Sequence, residues 1–136
     1  MAGSRRFGSR RGSEMIEGAL AMMVFAVILA AIMELGFTGF VSNSVAFAAE
    51  RAARYASVRG STSGHPAAVA DIQATAQSYA APLSSSALTV NVTWSPNNHP
   101  GSTVQVQVCY SIAPLLLPIS SHGMTLQSTA SQTITQ

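Results

Sequence analysis

Residues 18–33 read GALAMMVFAVILAAIM, sixteen positions with no charge, no Pro, no Asn or Gln and no hydroxyl. A core helix of a soluble domain carries a polar stripe, whereas this one is apolar all round. Sixteen residues fall short of the usual ~20 for a bilayer span. The stretch extends both ways, however, through Met15 and Ile16 before Glu17 and through Leu35, Gly36, Phe37 and Phe40 after Glu34. It therefore predicts one transmembrane helix.

Working outward toward the N-terminus, residues 1–12 (MAGSRRFGSRRG) hold four of the chain's seven basic residues, Arg5, Arg6, Arg10 and Arg11. They read as a disordered basic head. Four Arg ahead of the span place that end in the cytoplasm and predict export of the remainder. Once these residues are set aside the balance turns negative, so the formal charge of +2 belongs to the head and not to a nucleic-acid surface. Charged residues make up only 9 % of the chain against about 25 % in ordinary soluble domains.

Toward the C-terminus no Pro occurs between Gly36 and Val58, and Phe37, Val41, Val45, Ala48, Ala52 and Tyr55 recur at steps of three and four. One helix from Ser13 to about Val58 is predicted, with its C-terminal half projecting beyond the bilayer as a stalk. Ala48, Ala49, Ala52, Ala53 and Ala56 supply helix propensity and a thin profile for close packing. Gly60, Ser61, Ser63, Gly64 and Pro66 end this helix, and residues 66–80 read as a shorter one with Val69, Ile72, Ala76 and Tyr79 on one face. Residues 87–94 and 102–112 alternate strictly and predict strands, and residues 124–134 alternate more weakly as a third. Pro114 and Pro118 exclude helix and central strand from residues 113–120. The expected fold is α+β: a long N-terminal transmembrane and stalk helix (13–59), then a small head (60–136) with one short helix and about three antiparallel strands. Such a head has a thin core and needs the stalk or a neighbour. Its short sheet leaves open whether a neighbouring chain completes it.

No catalytic constellation emerges. Asp71 is the only Asp, His65, His99 and His122 lie apart in loops, and the one thiol, Cys109, sits inside an alternating strand. No metal, cofactor, nucleic acid or small-molecule substrate is expected. The informative cluster is RRGSEMIEGAL, residues 10–20. A carboxylate at a bilayer edge wants a partner. A cut after Gly12 makes Ser13 a free α-amine, with a reference pKa of about 7.7–8.0, one turn from Glu17. The plain alternative is an uncut signal anchor with Glu17 solvated among headgroups.

These residues resemble the TadE-like minor pilins, or pseudopilins, of Tad (Flp-type, type IVc) pilus systems. In that family a basic leader ending in Gly is cut by a prepilin peptidase five residues before a Glu, which maps to the bond between Gly12 and Ser13 and to Glu17. The following IMELGFTGFVSNSVAFAAERAARYASVRG is similar to the family's next stretch, with Glu34, Gly36, Arg54 and Tyr55 at matching positions. Gly18 stands where an aromatic residue is usual. The resemblance implies a pilin-like fold and a single-pass subunit of the bacterial inner membrane, its N-terminus cytoplasmic and its head periplasmic. It also implies partners: other pilin-like subunits, the assembly platform, the peptidase and the bilayer. Adhesion and biofilm formation are the implied biology. Glu34, about 26 Å past Glu17 along the helix, sits at the outer interface with its head in water or pairs with an Arg of another subunit. Arg54 and Tyr55 are expected to pack the helix on the head. Two rival readings remain, a soluble exported protein cut at the A-x-A of Ala46–Ala48 and a membrane-tethered adhesion domain acting alone.

Overall fold

The computed structural model describes residues 9–113 and 123–136. In chain order these form α1 (Ser9–Ser57), α2 (Val69–Tyr79), a 3-10 turn (Ser85–Ala87), β1 (Leu88–Ser95), β2 (Thr103–Ile112) and β3 (Met124–Thr133). The architecture is α+β, a long helix with a short helix and a three-stranded antiparallel sheet of order β1–β2–β3.

α1 runs for 49 residues, roughly 74 Å at the helical rise. It starts at Ser9, four residues before the Ser13 that the sequence pattern predicts. Ser9, Arg10 and Arg11 include neither Pro nor a β-branched residue. Extending an existing helix is also far cheaper than nucleating one, and Gly12 costs only about 1 kcal/mol relative to Ala. At the other end, the Ser57 hydroxyl donates to the Arg54 carbonyl at 2.9 Å. The Ser57 carbonyl, left without a helical partner, accepts the backbone N–H of Thr135 at 2.9 Å. The last residues of the chain thereby finish the first helix.

α2 is shorter than residues 66–80. Asp71 accepts the backbone N–H of Ala68 at 3.1 Å and so fixes its start. Its buried residues are Ile72 and Ala76, continued by Ala80 just past its end, and the expected members Val69 and Tyr79 are 40 % and 46 % exposed. The strict i, i+4 row meets α1, whereas Val69 and Tyr79 sit at the two ends of an eleven-residue helix.

The sheet follows the alternation. Val90 opposes Val108 and Val92 opposes Val106, while Val106 opposes Ala130 and Tyr110 opposes Leu126. Val104, Val106 and Val108 of the central strand are fully buried, but Leu126 and Ala130 of β3 are only half-buried and Met124 is exposed. β3 is an edge strand, so one flank of each side chain lacks a neighbour. The opposite face of the sheet presents Thr89, Asn91, Thr93, Gln105, Gln107, Gln127, Thr129 and Ser131, with half-buried Cys109 among them. No charge occurs there. Of the Pro-containing run 113–120, all but Ala113 lies outside the described residues, as do Arg5, Arg6 and His122.

The core lies between the C-terminal half of α1, α2 and the inner sheet face. Val41, Val45, Ala48, Ala49, Ala52, Ala53 and Ala56 of α1 are at most 2 % exposed. The alanines let the helix axis come close to both the sheet and α2.

Candidate functional site

The two halves of α1 face different surroundings. Its most apolar eighteen-residue window has a mean hydropathy of 2.4 and none of it is buried. Met15, Ile16, Leu20, Met22, Met23, Phe25, Ile32, Met33 and Leu35 are all more than half exposed. The helix is long and apolar enough to cross a membrane. Gly12, Ser13, Glu14 and Glu17 lie on the exposed surface of its first turns, and a Cβ added at Gly12 would meet nothing within 4 Å. Gly36 is equally open. Glu34 is half-buried and is not without a partner in the chain.

Arg54 and Tyr55 lie far from that end, about 56 Å beyond Glu17 by the helical rise. Tyr55 packs against the core as expected. Arg54 is exposed and, with Arg51, Tyr55, Val58, Thr75 and Tyr79, lines a groove of about 260 Å³ between α1 and α2. The Arg51 guanidinium carbon sits 4.9 Å from the Phe47 ring centroid and 5.9 Å from that of Tyr79. Those two rings meet edge to face at 5.8 Å. Just beyond the groove, the Arg59 guanidinium carbon lies 4.0 Å from the Tyr55 centroid. Aromatic rings attract a guanidinium through their π faces without using up its N–H donors, which suit a planar anion such as a carboxylate. No carboxylate lines the groove.

The sequence singles out Arg54 and Tyr55, but not Phe47, Arg51, Val58 or Tyr79 as groove residues. A signal was present in part, since Phe47, Arg51, Tyr55 and Val58 recur at steps of four, four and three beside the buried stripe. The contribution of Tyr79 depends on how α2 folds back, which no local pattern carries.

Other clusters have simpler roles. His99 Nδ1 and Ser61 Oγ are 2.8 Å apart, and Ser61 N–H donates to the Asn98 carbonyl. Both side chains are exposed, and the pair ties the loop after α1 to the β1–β2 turn. A shallow depression of about 160 Å³ on the outer sheet face is lined by Asn91, Thr93, Gln105, Gln107 and Thr129. Among the described residues no three His, Cys, Asp or Glu side chains gather to hold a metal ion. Compared with known proteins, the chain matches no family model, no curated protein and no solved structure.

Proposed function

We propose that the chain is a non-enzymatic assembly subunit, a minor pilin or pseudopilin of a Tad-type pilus, cut after Gly12 and inserted laterally among other pilin-like helices. The observation that carries this reading is a single continuous helix, one half bare and apolar and the other half built into the core of a small head. Such a subunit is held by the bilayer before assembly and by helix–helix packing afterwards. Its N-terminus stands in the cytoplasm and its head in the periplasm, where fibres serving adhesion and biofilm formation begin.

Processing changes the electrostatics. Removing residues 1–12 takes away four guanidinium groups and creates the Ser13 ammonium, four residues from Glu17 on the same helical face. The carboxylate gains a cation, in its own chain or a packed neighbour, at a place where an unpaired charge is expensive.

The A-x-A of Ala46–Ala48 lies in mid-helix. A cut after Ala48 would strip Val41, Val45 and Ala48 from the core, which favours the pilin reading over a cleavable Sec signal. Mass spectrometry of the mature amino terminus is the direct test, with Ser13 expected as first residue. A terminus at Ala49 or an intact Met1 overturns the proposal. Glu17→Gln should still be cut and inserted but should be recovered in assemblies at roughly a tenth of the wild-type level, the equivalent of losing one partly buried charge pair. Wild-type recovery would remove Glu17 from the mechanism.

A further inference from the structure

We propose that the groove between α1 and α2 receives the amino-terminal turn of a second copy of this chain, with the second copy's Glu14 and Glu17 paired to Arg51 and Arg54. The inference rests on the assembly reading above and names the surface used. Its ground is charge complementarity within one sequence. Glu14 and Glu17 are three residues apart and exposed, and Arg51 and Arg54 are three residues apart and exposed. Each Glu lies 37 residues before its Arg. Two parallel α1 helices offset by that length, about 56 Å, set both pairs level at once. The same offset brings the Ser13 ammonium, present once residues 1–12 are gone, level with Glu50. Three opposite charges meet and no like charges do.

The neighbouring positions fit as well. Gly18 of the second copy falls level with Tyr55, whose half-buried ring needs room, and a Cβ added at Gly18 would meet nothing within its own chain. Ala21 falls level with Val58, an apolar side chain 47 % exposed at the groove's end. Because Phe47 and Tyr79 confine the Arg51 side chain, less of its freedom is lost on pairing. A carboxylate has about four lone-pair sites, so Glu17 accepts the ammonium of Ser13 and the guanidinium of Arg54 together. Lipid headgroups are poorly placed as the anion. Arg51 lies eleven residues, about 16 Å, past Phe40, where the apolar stretch ends.

The test uses the full-length chain, processed in native membranes, with Cys109→Ser to remove the only thiol. Glu14→Cys combined with Arg51→Cys should give disulfide-linked oligomers on mild oxidation, whereas Glu14→Cys combined with Thr129→Cys on the outer sheet face should not. In the chain with native Glu14, Arg51→Glu with Arg54→Glu should reduce recovery of a differently tagged second copy by about tenfold or more. Raised salt should weaken recovery of the unsubstituted chain. Amino-terminal sequencing of the same samples separates the two ideas. A chain that does not begin at Ser13 overturns the assembly reading itself. A chain that begins at Ser13 and recovers its second copy, yet cross-links no better at 14/51 than at 14/129, overturns the groove alone. Loss of binding to alginate beads in Arg51→Glu/Arg54→Glu, with copy recovery unchanged, would assign the groove to an acidic polysaccharide and likewise overturn it.

Discussion

Gly60 occupies the place where α1 hands over to the rest of the head, and a side chain there has nowhere to go. A Cβ would run into the backbone carbonyl of Gln136 and come within 2.5 Å of Ile134 Cγ2. Glycine is used because the C-terminal residues must pass directly over the turn to reach the Ser57 carbonyl. Gly60→Ala is expected to destabilise the head by about 1–3 kcal/mol, the usual penalty of overpacking. For a head of this size that lowers the melting temperature by roughly 4–8 °C per kcal/mol. Thermal denaturation followed by circular dichroism in detergent checks it, and an unchanged midpoint would mean that Gln136 moves aside freely. In the sequence Gly60 reads simply as a helix stop. Its partner is 76 residues away, beyond the reach of any local pattern.

Among the elements, α1 most clearly separates what periodicity predicts from what packing adds. Steps of three and four single out Phe37, Val41, Val45, Ala48, Ala52 and Tyr55, and the middle four are fully buried. Ala49, Ala53 and Ala56 are buried too, because the helix is flanked by α2 as well as by the sheet and so hides two adjoining stripes. The small residues set the spacing on both sides. Ala52→Leu should therefore cost about 1–3 kcal/mol, whereas Ala46→Leu, on the exposed side, should stay within about 0.5 kcal/mol of wild type. Urea titration distinguishes them, and equal midpoints would mean that the helix does not approach its neighbours closely. The strands were legible nearly to the residue, since alternation over eight to ten positions has few other readings. β3 was legible only weakly. Its inward-facing positions include Ser128 and Gln132, opposite Val108 and Val104, which breaks the apolar alternation.

Across the fold as a unit, the C-terminal half of α1 shares one core with α2 and the sheet. Of the eighteen buried core residues among those described, seven belong to α1. A chain beginning at Gly36 keeps all eighteen and omits the exposed apolar stretch. It is expected to be soluble without detergent and to melt cooperatively. A chain beginning at Gly60 keeps eleven and exposes the inner sheet face, so it should show no cooperative transition and should bind a hydrophobic dye. Sharp melting of the shorter chain would show that the sheet and α2 suffice by themselves. The groove belongs to this scale too, because α1 supplies its arginines and α2 its floor.

The order and type of the elements, the bare apolar span and the charge pattern along α1 are local properties of the amino-acid order. All of these depend on neighbours within a few turns or a few strand residues. Packing alone makes the second half of α1 core, brings Arg51 and Arg54 into one groove with Tyr79, and lets Thr135 close the first helix. Those outcomes depend on which surfaces α2 and the sheet place against α1. Contacts between segments tens of residues apart are set by shape and burial, and leave no periodic trace in the order of the amino acids.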